Sequence, residues 1–302
     1  MKFLITGGAG FIGSHIAEEL INKGEVVVFD NLSVGKREFV PDGCSFIKGD
    51  IRNKEEISKA MKDADVVFHD AAFVSIRGSF EKIREVLESN FLGTLNVFES
   101  AKDSNVEKII FASSMDVYGE PQHLPVDEGH PLNTKSIYGL SKITGEMLCK
   151  TFEEKYGIRC TALRYFNTYG IRQTPSPYVG VITTFIVQAL GGNPLTIHGD
   201  GNQTRDYVWV KDVAQANILA AFSKKSGVFN VGSGEEVSVN QIADMVIKSL
   251  GGKKNYLENP PGEIKKMQAD ISRAKRLLNY NPKGRLAEIL PDLIEWWQSK
   301  TR

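Results

Sequence analysis

Tyr138 and Lys142 stand four residues apart in Tyr138-Gly139-Leu140-Ser141-Lys142. On a helix that spacing puts a phenol and an ammonium on one face. A neighbouring cation stabilises tyrosinate and draws the phenol pKa toward working pH. A tyrosine tuned in this way can take a proton from a hydroxyl group and return it, which is the proton half of an alcohol–carbonyl interconversion. Ser113-Ser114 closes the apolar run that comes before, and a hydroxyl there could hold the reacting oxygen. Alone, the Tyr/Lys pair is unspecific and could belong to any surface helix. It gains meaning only if the chain can also hold a hydride carrier.

The N-terminus supplies that half. The apolar run Lys2-Phe3-Leu4-Ile5-Thr6 feeds Gly7-Gly8-Ala9-Gly10-Phe11-Ile12-Gly13-Ser14. Gly7, Gly10 and Gly13 permit a sharp turn, close approach of a pyrophosphate and tight packing of the next helix on the strand. A pyrophosphate then lies at the helix N-terminus, where free N–H groups and the dipole favour anions. Val26-Val27-Val28-Phe29 ends at Asp30, twenty residues after Gly10. A carboxylate there accepts hydrogen bonds from an adenosine ribose and repels a 2′-phosphate, which favours NAD over NADP. Lys36 and Arg37 follow closely and would oppose that preference.

These groups need a scaffold that brings residues 7, 30, 114 and 138 together. The chain has 302 residues, 41% of them hydrophobic, enough for one large domain or two modest ones. Thirty-seven Lys+Arg balance 37 Asp+Glu, so charge points neither to nucleic acid nor to a membrane. Apolar runs are strand-length, and the N-terminus has no signal-like segment, so a cytoplasmic protein is expected. Cys44, Cys149 and Cys160 are odd in number and widely spaced, which argues against a disulfide framework. The five histidines show no metal-ligand spacing, and no metal site is expected.

Apolar runs at Phe3–Thr6, Val26–Phe29, Phe46–Lys48, Val66–His69, Ile109–Ala112 and Thr161–Arg164 read as buried parallel strands. Helical stretches at Ile12–Lys23, Lys54–Met61 and Glu85–Asp103 alternate with them. The pattern predicts an α/β fold, a doubly wound parallel sheet, whose ligands bind beyond the C-terminal strand ends. Those ends carry Gly7, Asp30, Asp50, Ala71-Ala72 and Ser113-Ser114. From about Phe166 the pattern changes to a loop at Gln173–Gly180 and a further helix. Strands near Leu195–His198 and Tyr207–Val210, a helix at Lys211–Phe222, a strand at Val228–Val231 and amphipathic helices at Val239–Leu250 and Leu286–Gln298 follow. Residues 1–165 with about 211–232 are expected to form the dinucleotide domain. Residues 166–210 with 233–302 are expected to form a smaller C-terminal α/β substrate lobe.

In this order the motifs resemble the extended short-chain dehydrogenase/reductases, and among them the NAD-dependent nucleotide-sugar epimerases. The resemblance spans nearly the whole chain. It includes Thr6–Ser14, Asp30-Asn31-Leu32-Ser33, Gly49-Asp50-Ile51-Arg52, His69–Ala72, Asn90-Phe91-Leu92-Gly93-Thr94, Ser113–Gly119, Tyr138–Lys142, Arg164-Tyr165-Phe166-Asn167 and Arg205-Asp206-Tyr207. It implies that Ser114, Tyr138 and Lys142 are catalytic. It implies that Phe11 and Ile12 lie along the pyrophosphate, Asn31, Ser33 and Gly35 near the adenosine ribose, and Asp50 and Ile51 near the adenine. Ala71, Ala72 and Val74 would line the cofactor path, Asn90 would orient it, and Tyr165 would fall near the nicotinamide. On the substrate side it implies Asn167, Val181, Ile182 and Arg205 at the diphosphate, Thr196 and His198 at the base, and Glu263 at the nucleotide ribose. A homodimer formed through the Tyr138 helix and the helix starting near Glu85 is also implied.

The resemblance further implies a reaction: oxidation of a sugar C4 hydroxyl, turning of the ketosugar, and return of the hydride to the other face. Dehydratases of the family resemble Thr-Asp-Glu where this chain has Ser114-Met115-Asp116, and Met115 cannot transfer a proton. A reductase of the same family and a non-catalytic dinucleotide sensor are the alternatives. One departure is Pro260, which stands where many relatives carry a second diphosphate-binding arginine; Lys265 or Lys266 would have to compensate. Met267 falls at the family position beside the sugar C2 substituent. Its flexible side chain predicts tolerance of N-acetylated UDP-sugars as well as UDP-Glc and UDP-Gal.

Overall fold

A computed structural model describes residues 1–76, 78–174, 180–258 and 264–301. Its centre is a seven-stranded sheet in which every neighbouring pair is parallel. The strands are β1 (Lys2–Thr6), β2 (Glu25–Asp30), β3 (Ser45–Lys48), β4 (Val66–His69), β5 (Lys108–Ser114), β6 (Arg159–Tyr165) and, out of turn, β10 (Gly227–Val231). Their order is β10-β6-β5-β4-β1-β2-β3. The chain winds outward from β1 through β2 to β3, then crosses back to β4 on the other side of β1. Between the ends of β1 and β4 lies the topological switch point, where a ligand crevice opens in such sheets.

The apolar runs are two-sided because both faces of the sheet are covered. Phe3, Ile5, Val26, Val28, Val66, Phe68 and Ile110 join one core layer, together with Ile16 and Leu20 of the Phe11–Leu20 helix and Val213 of the Val210–Phe222 helix. Leu4, Val27, Phe29, Val67, Ile109 and Phe111 join the other, under Ile57, Val97, Phe98 and Phe152. Alternation within each run is the period-two signature of a strand buried on both sides. A third core, with Ile182, Phe185, Leu195, Ile197, Ile242, Val246, Leu293 and Trp297, belongs to the C-terminal lobe.

In that lobe β7 (Asn167–Tyr169), β9 (Thr204–Trp209), β11 (Glu236–Ser238) and β13 (Lys266–Met267) form a small sheet around β9, and β8 (Leu195–His198) pairs with β12 (Lys254–Leu257). The return of Val228–Val231 to the large sheet, expected from the sequence, is observed: β10 lies parallel to β6. Two expectations need correction. The strand read at Tyr207–Val210 runs from Thr204 to Trp209, and Val210 already opens the next helix. The helix read at Glu85–Asp103 is three pieces, Ile83–Val86, a π-helical turn over Leu87–Gly93, and Thr94–Asp103. Strands β7, β11 and β13 went unread because two or three residues cannot display a period, and β12 because Lys254-Asn255-Tyr256-Leu257 is not an apolar run. All three cysteines are free. Among the described residues no helix is long and apolar enough to cross a membrane.

Candidate active site

The dinucleotide end is built first. Gly7 has φ +73, and a Cβ there would lie 2.7 Å from the Ala71 nitrogen; a Cβ on Gly13 would lie 2.3 Å from the Gly7 carbonyl oxygen. Only glycine fits at either place, so the helix N-terminus, the turn and the end of β4 stay in close contact. The Asp30 carboxylate accepts the Ala9 N–H (3.0 Å) and the Leu32 N–H (2.8 Å), which fixes it beside the turn. The Lys36 N–H donates to the Ala9 carbonyl (3.0 Å), folding the loop with Ser33 and Gly35 over the same edge. Lys36 itself pairs with Glu38 (3.8 Å), and the Arg37 guanidinium stacks on Phe46 (4.8 Å). A backbone cradle with a fixed carboxylate at the end of β2 fits the adenosine diphosphate half of NAD.

Farther along the edge, Asn31, Lys48, Gly49, Asp50 and Glu56 line an open cleft. Asn31 Nδ2 donates to Asp50 (2.9 Å), and Arg52 grips the same carboxylate through Nε (3.0 Å) and a terminal nitrogen (2.7 Å). Those bonds, Arg52 foremost, hold the Asp50 carboxyl down at about 2 despite partial burial. The Ile51 side chain is core, so at this position a ligand could meet only backbone.

The catalytic candidates converge from two elements. The helix Ile137–Tyr156 is N-capped by Ser136, which accepts the Gly139 N–H (2.8 Å) and itself donates a very short hydrogen bond to Asp116. Thr134 donates to the same carboxylate (3.3 Å). Asp116, two residues past the end of β5, thus anchors the helix that carries Tyr138, in line with a supporting rather than chemical part. Gly145 lets the helix press onto β5; a Cβ there would lie 2.1 Å from the Phe111 ring. Tyr138 is thereby buried, with Ser114 at the end of β5 near enough to its phenol to act on it. The Lys142 ammonium sits 5.6 Å from the Tyr138 ring centroid and donates to the Ala112 carbonyl (2.8 Å).

The electrostatics correct one expectation. Burial dominates and pushes the Tyr138 phenol above its ordinary range; the Ser114 hydrogen bond opposes this, and Asp116 and Asp70 add to it. Lys142 does not pull the phenol down. Its own ammonium is pushed down to about 8, chiefly by burial and partly offset by Asp70. Spacing put the two groups on one face but carried no information on the desolvation that dominates there.

Asn90 sits in the π-helical turn. Its amide accepts the Phe73 N–H (2.7 Å) and donates to the Phe73 carbonyl (3.0 Å) and to Ser141 (3.0 Å). It therefore ties the Ala71–Val74 segment to the Tyr138 helix, a common use of such a turn near functional sites. Val74 is exposed, Ala71 and Ala72 half-buried. Tyr165 is buried with its hydroxyl donating to Asn217 (2.9 Å), close enough to Tyr138 and Asp70 to feel both.

Beneath lies a buried ionic network. Arg164 on β6 binds Glu146 of the Tyr138 helix through two bonds (2.8 and 2.7 Å). Ser113 donates to the same carboxylate (2.5 Å), and Arg164 also reaches Tyr118 (2.9 Å), which donates to Asn230 of β10 (2.5 Å). Glu146 drew no notice in the sequence because its partner is eighteen residues away.

On the lobe side, Asn167 (β7) and Met267 (β13) are on strands that flank Arg205's strand, β9, with Asn167 opposite Tyr207 and Met267 opposite Arg205. Asn167 Oδ1 is buried without a hydrogen-bond partner, an acceptor to be satisfied by a ligand or water. The Arg205 guanidinium donates to the Thr204 carbonyl (2.8 Å). Asp206 beside it accepts four bonds, from Ser233 N–H and hydroxyl, Gly234 and Ala269, and so ties the lobe sheet to the segment after β10. Thr196 and His198 lie apart on β8, Thr196 held by Gln188 and His198 near the Glu258 carbonyl. Val181 opens the Val181–Leu190 helix and is half-buried, whereas Ile182 packs into the lobe core and offers no side chain. Glu263, with Pro260, lies outside the described residues.

Met267 is a correction. It has no exposed surface and belongs to the core that holds Phe166, Val208 and Val231. A core methionine fills space and does not gate a pocket. Met267→Tyr is expected to overpack this core at about 1–3 kcal/mol. A thermal melt should move down, and turnover of UDP-Glc and UDP-GlcNAc should fall together; selective loss of the N-acetylated sugar would restore the gate.

A family model described as "NAD dependent epimerase/dehydratase family" matches residues 3–232. The chain belongs to that family. It is 42% identical over 99% of both chains to a Methanocaldococcus jannaschii protein provisionally named as a UDP-glucose 4-epimerase. It is also similar to the solved UDP-N-acetylglucosamine 4-epimerase of Methanobrevibacter ruminantium M1 in complex with UDP-N-acetylmuramic acid. That likeness has TM-score 0.95 and 38% identity, over 99% of this chain and 98% of the other. A third likeness is to the UDP-glucose 4-epimerase of Thermotoga maritima with UDP-glucose, at TM-score 0.96 and 35% identity, over all of both chains. As a family member the chain is an NAD-dependent enzyme, and the Gly7–Gly13 turn with Asp30 has the form that cofactor needs.

Proposed function

We propose that this chain is a UDP-hexose 4-epimerase that acts through a transient 4-keto sugar, with Ser114, Tyr138 and Lys142 as its catalytic set. The observation that carries the reading is the buried Tyr138 phenol, with Lys142 against its ring and Ser114 acting on it from the end of β5, beyond strand ends that face the glycine turn. When bound, NAD supplies a hydride acceptor at C4 that can return the hydride. Tyr138 in its ionised form takes the C4 hydroxyl proton as that hydride leaves, and gives the proton back when the hydride returns to the opposite face of the sugar. Ser114 holds the sugar oxygen through both steps. Lys142, on the same helix face and anchored on the Ala112 carbonyl, is placed to bond the nicotinamide ribose and so to hold the cofactor against Tyr138. No group beyond this set is needed, which separates epimerisation from dehydration; Met115 and Asp116, the latter engaged in capping, supply no further acid and base.

Residues 1–165 with about 211–232 are assigned to the cofactor, and 166–210 with 233–302 to the nucleotide sugar. Asn167, with its unpartnered Oδ1, Arg205 and the N-terminal N–H groups of the Val181–Leu190 helix are placed at the diphosphate. Thr196 and His198 are placed at the base. The enzyme is read as cytoplasmic and as a homodimer. Leu87, Leu92, Leu140 and Met147 leave apolar surface exposed on the two helical segments that would pair, which supports the dimer. Incubation with UDP-Glc, UDP-Gal, UDP-GlcNAc and UDP-GalNAc, followed by NMR, should show inversion at C4 and no net change in cofactor. Reduction of a sugar with stoichiometric NADH consumption, or no reaction with any of the four, would overturn the reading.

Asp30 is expected to make the cofactor NAD and not NADP, since Lys36 and Arg37 are engaged with Glu38 and Phe46. Calorimetric titration of both dinucleotides checks this; equal or tighter NADP binding would mean the two cations outweigh the carboxylate.

A further inference from the structure

Arg172 stands three residues past β7 and drew no notice in the sequence. It is a non-glycine residue in the left-handed region, φ +67, a conformation that persists only where the surroundings fix it. Its guanidinium reaches back to the Phe11–Leu20 helix. One terminal nitrogen donates to the Glu18 carboxylate, and the other donates to the Ser14 hydroxyl (3.3 Å), which donates in turn to the Phe11 carbonyl (3.2 Å). His15 of the same helix lies 3.3 Å from the Ile171 carbonyl oxygen and 3.2 Å from the Glu18 carboxylate. Ser14 and His15 are buried, and the Arg172 side chain is 18% exposed. The next residue is held from the other side. Gln173 donates to the Thr168 carbonyl (3.4 Å) and accepts the Thr183 hydroxyl (2.5 Å), and Thr183 is buried in the first turn of the Val181–Leu190 helix. Residues 171–173 are therefore clamped between the helix of the glycine turn and the helix assigned to the diphosphate. We propose that Arg172 is a positioning residue for the nucleotide sugar. Gripped by Glu18 and Ser14, it fixes the segment that begins at Asn167 and, through Gln173 and Thr183, the first turn of the Val181–Leu190 helix. The inference rests on the placement of the diphosphate at Asn167 and at that helix.

A lone ion pair with this much surface would contribute little. This one differs because the planar fork binds two groups at once, which fixes its direction as well as its distance. Partial burial acts to raise the Glu18 carboxyl, but the bonds from His15 and Arg172 outweigh it and hold the carboxyl down at about 2. The grip therefore stays charged across the neutral range. The two ends of the clamp are not equally free to move. Ile16, Ala17 and Leu20 lock the Phe11–Leu20 helix into the core under the large sheet. That helix is the frame, and the segment from Asn167 to Gln173 is what it positions. Asn167 leads this segment, and its buried Oδ1 has no protein partner to hold it in place. Loss of the grip should loosen the substrate side and leave the cofactor side as it was.

The test is a calorimetric titration of the NAD-loaded full chain with UDP, together with steady-state turnover of the UDP-sugar and an NAD titration of cofactor-depleted protein. Arg172→Gly removes the fork and adopts a positive φ without strain; Glu18→Gln removes the charge and keeps the shape. Each should weaken UDP binding and raise KM about tenfold, the scale of one coupled side-chain network. The turnover number kcat and the affinity for NAD should stay within about threefold, because Ser114, Tyr138 and Lys142 sit on other elements. The double variant should be no worse than either single variant, since both changes release the same grip. UDP affinity that moves by less than about twofold in either single variant would overturn the proposal. Losses that multiply in the double variant would do the same, and so would NAD affinity that falls in step with UDP affinity, the mark of a merely structural pair. Each of these leaves the diphosphate placement intact. An unaltered protein that binds no UDP would overturn both.

Discussion

Tyr138→Phe is expected to lower kcat by about 10²–10⁴-fold, the usual cost of losing a general acid–base group. Cofactor binding and the melting temperature should hardly move. The ring is the buried part, and Lys142 continues to lie against it and to donate to Ala112. Ser114 continues to accept the Asp116 N–H (3.2 Å). Steady-state turnover of the UDP-sugar, an NAD titration and a thermal melt on the same preparation separate chemistry from structure. Turnover within about threefold of the unaltered enzyme would remove Tyr138 from the mechanism.

Arg164 and Glu146 should show the largest effect on stability. Their side chains are 4% and 6% exposed, and each is satisfied by the other. Glu146→Gln leaves a buried guanidinium without its counter-charge, and Arg164→Met leaves a buried carboxylate; either should cost about 3–5 kcal/mol. Replacing both by methionine removes both desolvation costs and should regain much of the loss. Chemical denaturation of the two single variants and the double variant tests this as a cycle. Single variants that lose less than about 1 kcal/mol would mean that water enters and compensates the pair. The network also reaches Ser113, next to Ser114, and the helix of Tyr138, so a single variant should lower kcat more than it weakens NAD binding.

Much of the machinery was legible in the sequence because it is local. Gly7, Gly10 and Gly13 with Asp30 form a pattern whose spacing follows from one strand, one turn and one helix. Tyr138 and Lys142 share a helix face by arithmetic alone. The alternation of apolar runs with helical stretches carried the doubly wound sheet, and the strand-like Val228–Val231 was assigned back to it, where β10 lies beside β6.

What only the tertiary structure decided are the properties that depend on neighbours distant in the chain. Met267 looks like a flexible pocket residue in the sequence and is core, since β13 is held against β9 inside the packed layer. Ile51 and Ile182 follow the same rule, since an apolar side chain beside a site goes to the core when one is in reach. The Tyr138 phenol is raised and not lowered because desolvation outweighs a cation that faces the ring and the Ala112 carbonyl. The break in the Glu85–Asp103 helix comes from Asn90, which bonds Phe73 and Ser141 on two other segments. A sequence specifies which groups are present and their spacing along one element; solvent exclusion and charge proximity arise between elements, and those set the pKa values and decide which side chains remain free to bind.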